Sequence, residues 1–265
     1  MTTTARPPAV AGSFYRGSAP RLRSAVRELL ASAPEVSPSV STRMVIVPHA
    51  GHIYSGPVAA VAYRIVAAES PARIALIGPS HFVAFDGLAV PDHEMLATPL
   101  GTVAVDPVIE ELEKAGLVRR SETAHRREHS LEVQLPFLQT ALDTFTVAPL
   151  LTGDEDPGPA AQALAHMLDA GLFVVVSSDL SHYHDHDTAS SLDAATAELI
   201  VGLREAELDR YSACGRTAVR SALRVAADRG WGCELLDLRT SGDTAGPRDR
   251  VVGYGAFALG PSPSS

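Results

Sequence analysis

Residues 44–56 read MVIVPHAGHIYSG: four apolar residues in a row, three of them β-branched (Val45, Ile46, Val47), running straight into a loop punctuated by Pro48 and Gly51. Successive side chains of a strand point to opposite faces, so a strand that is apolar at every position must be covered on both. The same pattern returns in IALIGPSH (residues 74–81) and VVVSSDLSHYHDH (residues 174–186). Helical periodicity fills the stretches between. Helices are predicted over 19–31, 56–68, 107–115, 129–142, 158–170, 187–203 and 217–229, and strands over 44–47, 73–77, 144–150, 172–176, 233–238 and 250–259. Strands alternating with helices in this way predict an α/β protein, a three-layer α/β/α sandwich around a central mixed sheet.

The 265 residues, 46% apolar, suffice for one large core, and a single domain over 1–265 is expected. Residues 1–18, rich in Pro, Gly and Ser, read as an extended N-terminal arm, 33–42 as a linker, and 260–265 as a flexible tail. Lys and Arg total 22 against 31 Asp and Glu, a net charge of −9. No basic stretch interleaved with aromatics is present, which argues against nucleic acid as a partner. There is neither a signal-peptide pattern nor an apolar run long enough to span a membrane, so a cytoplasmic protein is expected. The two cysteines, Cys214 and Cys233, form no CxxC knuckle and read as free thiols.

Six of the ten histidines (His49, His52, His81, His182, His184 and His186) fall in the three loops that follow the apolar strands. In open α/β sheets ligands bind at the carboxyl ends of strands, so the imidazoles gather where a site would form. His49 and His81 are the first candidates for metal ligands. Two imidazoles and a carboxylate with open positions suit non-haem Fe(II), whereas a closed nitrogen–sulfur tetrahedron suits Zn. Taken singly, a loop histidine hydrogen-bonds its own turn as readily as it binds an ion.

Asp179 and His182 follow the third strand, three residues apart. His182 is a candidate general base or orienting group, and Asp179 an orienting group or further ligand. An Asx turn at the strand end is the competing reading of Asp179. Glu128 and His129 sit at the start of a leucine-periodic stretch, where they either face the pocket or simply cap an exposed helix. His52, His184 and His186 are candidate pocket walls, and His93 and His166 surface residues. Ser80 beside His81, and Ser178 beside Asp179, permit a serine hydrolase on paper, but no GxSxG elbow, HExxH helix or phosphate-binding loop is present. Gly253-x-Gly255-x-x-Ala258 imitates a dinucleotide turn, with too few residues after it to start a helix.

The blocks AVAGSFY, VPHAGHIYSG, GPSH, TPLG, EHSLEVQLPFL, SSDLSHY and VVGYGAF, in this order between Arg6 and Leu259, resemble the Memo family, in prokaryotes the AmmeMemoRadiSam system protein B. That family is similar in fold to the LigB-type class III extradiol dioxygenases. The resemblance implies a divalent metal, Fe(II) first and Zn or Cu as alternatives, held by His49 and His81, with Asp179 and His182 in the same pocket. In animal relatives a cysteine from the loop before the last strand adds a third ligand. Here that loop is RTSGDTAG, which makes Asp243 the expected substitute. The resemblance further implies either a dioxygenase-like oxidoreductase acting on a small molecule, or a non-catalytic adaptor for a metal or peptide. As partners it implies an Amme-domain protein and a radical S-adenosylmethionine enzyme.

Overall fold

The computed structural model describes residues 5–153, 156–209 and 211–262. In chain order its strands are β1 Ala5–Arg6, β2 Met44–Val47, β3 Arg73–Pro79, β4 Leu88–Val90, β5 Met95–Thr98, β6 Gly101–Val105, β7 Arg119–Arg120, β8 Thr146–Thr152, β9 Phe173–Ser177, β10 His182–His184, β11 Gly232–Thr240 and β12 Val251–Gly260. The helices are α1 Ala19–Ser32, α2 His52–Glu69, α3 Val108–Lys114, α4 Glu122–His125, α5 Leu135–Ala141, α6 Gly158–Asp169, α7 His186–Val201, α8 Arg216–Asp228 and α9 Ser241–Thr244.

All twelve strands join one mixed sheet. Its centre is the parallel run β6-β8-β3-β9-β2, flanked by antiparallel β5 on β6 and antiparallel β12 on β2. The strand alternation read from the sequence appears as two cores. Met44 and Ile46 pack with α3, α6, α7 and α8 on one face, while Val45 and Val47 pack with α1, α2 and α5 on the other. The architecture is the expected three-layer α/β/α arrangement. Every residue of β2 and β9 is buried. Among the described residues no helix is long and apolar enough to cross a membrane.

Several expected elements differ. The helix expected from His129 begins only at Leu135, after a single 3₁₀ turn over Glu132–Gln134. Pro136 has no N–H to give to an upstream carbonyl, which confines it to a first turn, and His129 and Ser130 instead donate their amides to Glu128 Oε1 at 2.8 and 2.9 Å. Helix α2 begins at His52 rather than Gly56, with the His52 amide donating to Phe14 O at 2.8 Å. The short strands β4, β5 and β6 lie in a stretch without a legible period.

The N-terminal arm is built into the fold. Glu132, fully buried, accepts from the amides of Ala9 and Val10, the Tyr15 hydroxyl and the Arg6 guanidinium at 2.7–2.9 Å. Four donors on one carboxylate satisfy a charge that burial alone would make costly. Of the expected tail, Gly260 ends β12 and Pro261 O accepts from the Ser41 amide, while residues 263–265 lie outside the described residues.

Candidate metal centre

Strands β3, β9 and β2 lie side by side and parallel, so their carboxyl ends open on one edge of the sheet. The loops leaving them carry His81, Asp179 and His49 respectively. The convergence read from the sequence is therefore real for His49 and His81: their ring centroids are 5.2 Å apart, edge to face.

Each ring is held with a defined tautomer. Ser177 Oγ gives its single proton to Ser130 O at 2.6 Å, so toward His49 Nδ1, 3.0 Å away, it can only accept. His49 consequently carries its proton on Nδ1 and turns the Nε2 lone pair outward. His81 Nδ1 faces Glu128 Oε1 at 2.9 Å, and its amide donates to Glu128 Oε2 at 2.6 Å. The carboxylate thus fixes backbone and ring together and leaves Nε2 of His81 free to bind. His182 follows the same rule, donating from Nδ1 to Leu180 O at 2.8 Å. Burial, reinforced by the neighbouring His81 and His129, holds His49 well below the usual imidazole range, the neutral form a metal requires.

The third donor is a thiol. Cys214 Sγ lies 3.2 Å from His49 Nε2, and one donor atom from each of His49, His81 and Cys214 lies within 4.8 Å of the other two. Asp243, expected to complete this set, is turned elsewhere. Its carboxylate accepts from the Thr240 amide and hydroxyl at 2.9 Å, closing a capping box on α9, and meets His186 Nε2 at 2.7 Å and Arg248 at 3.3 Å. In this chain the thiol comes from the turn before α8, not from the loop before β12. No local signal marks Cys214 as a donor; its place is set by the packing of Gly215, just ahead of α8. An added Cβ on Gly215 would sit 2.8 Å from Ser177 O and from Ser178 Oγ, so only glycine lets the Cys214 turn lie against the end of β9.

Burial pushes the Cys214 thiol up, and the charge of Asp179 raises it further. The sulfur therefore keeps its proton until a cation beside it makes the thiolate favourable. Asp179 itself is raised to about 6 by burial, against the hydrogen bonds it accepts from the His49 and Ala50 amides at 2.7 and 3.3 Å. Its first role is to hold the His49 loop.

A second donor group, His81, Glu128 and His129, also lies within 4.8 Å. Glu128 Oε1 already accepts from the His81 ring and the His129 and Ser130 amides, so Glu128 acts as the orienting carboxylate of His81. Burial pushes its pKa up, yet the His81 contacts more than offset this and hold it at about 2. The His129 ring stacks on that of His81 at 4.6 Å and forms part of the chamber wall.

The two imidazoles face a chamber of about 450 Å³ whose lining includes Phe14, Tyr54, His129, Asp179, His182 and Arg250, while Cys214 reaches His49 from the side of a smaller cleft it shares with Pro79 and Ser80. His52 is a core residue bonded to Val133 O, and neither His184 nor His186 lines the chamber. Ser80 Oγ donates to Val83 O and Ser178 Oγ to Asp179 O; both hydroxyls staple backbone, and neither meets a base.

The chain matches the family model described as Memo-like protein over residues 6–258. The chain belongs to the Memo family. Among its relatives, a MEMO1 family protein of Ignicoccus hospitalis is 38% identical, with 95% of this chain and 97% of the relative covered. MEMO1 family proteins of Sulfolobus acidocaldarius and Methanopyrus kandleri are each 35% identical, with 96% of this chain and 99% and 98% of the relatives covered. The Memo blocks are the very segments that converge here: VPHAGHIYSG carries His49, GPSH carries His81, EHSLEVQLPFL carries the Glu128 clamp, and SSDLSHY carries Ser177, Asp179 and His182.

Proposed function

We propose that this Memo protein is a metal-dependent oxidoreductase acting on a small molecule in the chamber, with His49, His81 and Cys214 holding the ion. The observation that carries the reading is the pre-set donor geometry: two imidazoles whose Nδ1 protons are already committed, and one thiol against His49 Nε2. The residues fit such a group. A structural zinc site closes itself with four protein ligands, whereas three donors, two of them lining an open chamber, leave room for a substrate. Two nitrogens and a thiolate suit Fe(II), Cu or Zn, with Fe(II) preferred here for redox chemistry. When bound, the ion supplies Lewis acidity and, if iron or copper, electrons.

The chain's own residues do the rest. Glu128 and Ser177 hold the two imidazoles in register. Asp179 fixes the His49 loop through two amides. His182, with its Nδ1 proton tied to Leu180 O, offers Nε2 to take a proton from a substrate hydroxyl in the chamber. Phe14, Tyr54 and Tyr254 give the chamber an aromatic wall.

The test is elemental analysis of anaerobically purified protein, alongside O₂ consumption with redox-active small molecules. Iron is expected in the wild type, retained in Asp243→Ala and His182→Ala, and lost in His49→Ala and Cys214→Ala; turnover is lost in His182→Ala. Full metal content in Cys214→Ala overturns the ligand set, and a protein that binds only zinc overturns the redox assignment.

A second reading is an adaptor working with an Amme-domain protein and a radical S-adenosylmethionine enzyme. It is favoured by large apolar side chains left exposed next to site residues, namely Ile53, Phe82 and Tyr183 at 57%, 50% and 63%. It expects no turnover with any metal and measurable affinity for such a partner.

A further inference from the structure

Arg250 is the only Arg or Lys among the described residues lining the chamber. In a chain with 31 acidic residues against 22 basic ones, a guanidinium at a binding site is normally claimed by a carboxylate, yet among the described residues Arg250 forms no ion pair. The neighbouring carboxylate of Asp243 is taken by His186 and Arg248. Asp179, the one carboxylate lining the chamber, is turned to the amides of His49 and Ala50.

What Arg250 does touch is an aromatic platform. Its guanidinium carbon lies 4.5 Å from the centre of the Tyr183 ring, a cation–π distance that positions the group while leaving its N–H donors unspent. Tyr183 sits at φ +66°, in the left-handed region that a bulky L-residue rarely adopts. Such a conformation persists only where the surroundings enforce it, and it is a mark of functional sites. Its ring in turn meets His182 edge-on at 5.6 Å. The proton acceptor, the strained aromatic and the uncommitted guanidinium thus form a continuous stretch of the wall, reached from two chain segments, β10 and the residue just before β12.

We propose that Arg250, seated on Tyr183, is the anchor for a carboxylate, and that the chamber takes small organic carboxylates whose apolar body packs on its aromatic lining. A planar guanidinium pairs with a planar carboxylate through two parallel hydrogen bonds. One guanidinium balances one negative charge, which favours a carboxylate over a phosphate dianion. The anchor names the substrate class of the metal site described above and rests on that reading for its catalytic meaning; binding of the anion by itself does not require the metal.

The experiment is calorimetric titration of the full-length, zinc-loaded protein with benzoate, benzamide and phenyl phosphate. Wild type is compared with Arg250→Ala, Arg250→Lys and Tyr183→Gly, and the series is repeated on a Cys214→Ala background. Saturable benzoate binding is expected in the wild type, weaker by about tenfold or more in Arg250→Ala. Arg250→Lys should fall between, because an ammonium keeps the charge without the planar fork. Tyr183→Gly should weaken binding several-fold, and benzamide should bind weakly and ignore Arg250. No saturable binding of benzoate to the wild type, equal affinity in Arg250→Ala, or tighter Arg250-dependent binding of phenyl phosphate each overturns the proposal. Arg250-dependent binding that survives in Cys214→Ala supports the anchor independently of the metal. Failure of the wild type to bind metal counts against the metal centre alone.

Discussion

Replacing Glu128 by Gln removes the clamp on His81 while changing almost no volume. The Glu128 side chain is 2% exposed. Its Oε1 accepts from the His81 ring, the His129 amide and the Ser130 amide, and its Oε2 accepts from the His81 amide. A glutamine can place its carbonyl where Oε1 was, but its amide group then faces the His81 N–H donor to donor. One charge-assisted bond is lost and a buried N–H is orphaned, a cost of about 1.5–3 kcal/mol. The titration gives a figure at the upper end of that range or just above it: a pKa lowered from 4.5 to about 2 corresponds to about 3–4 kcal/mol at roughly 1.4 kcal/mol per pH unit. Because the folded value lies below the unfolded one, this stability is present above about pH 5 and is lost as pH falls toward 2. Urea unfolding of metal-free wild type and Glu128→Gln should therefore differ by about 2–3 kcal/mol at pH 7, with the gap narrowing between pH 5 and pH 3. Competition with a chromophoric chelator should show about 10- to 100-fold weaker metal binding in the variant. A difference below about 1 kcal/mol at pH 7, or one that does not shrink on acidification, refutes the assignment of Glu128 as the charged clamp.

Ser177→Ala leaves the His49 Nδ1 proton, Gln134 Nε2 and Ser130 O short of a shared partner; a loss of about 1–3 kcal/mol in urea unfolding and weaker metal binding are expected. Gly215→Ala forces the Cys214 turn away from β9, so metal affinity by chelator competition should drop together with about 1–3 kcal/mol of stability. Asp243→Ala should keep its full metal content by elemental analysis and lose about 1 kcal/mol with the α9 capping box. Separately from the capping box, the His186 pKa is raised, chiefly by its hydrogen bond to Asp243, so whatever the pair contributes is present below about pH 6.5 and fades as pH rises past the folded pKa. Thermal melts of wild type and Asp243→Ala should accordingly draw closer, without merging, as pH rises above about 6.5.

Much of this molecule is decided locally. Runs such as Met44–Val47 and Phe173–Val176 are strands buried on both faces because they offer no polar side, and the histidines at their ends mark the ligand edge of a parallel sheet whatever the strand order. His49, His81, Asp179 and His182 could be read that way, since each adjoins a strand whose direction the pattern reveals.

Glu128 could be read only as one of two alternatives, facing the pocket or capping a helix, and Cys214 not at all. Cys214 is 165 residues from His49 in the chain and lies in a turn with no period, so nothing local distinguishes it from an idle thiol. It becomes a donor only because β2 and β9 pair in parallel and Gly215 lets the turn lie on the end of β9. Asp243 had the right chemistry for a ligand and the wrong place, because the nearest orphaned donors of α9 claimed it first. Residue type and strand period operate over a few neighbours and are written in the sequence itself. Which lone pairs meet across a sheet edge depends on strand order and on competition for hydrogen-bond partners, and these exist only once the chain has packed.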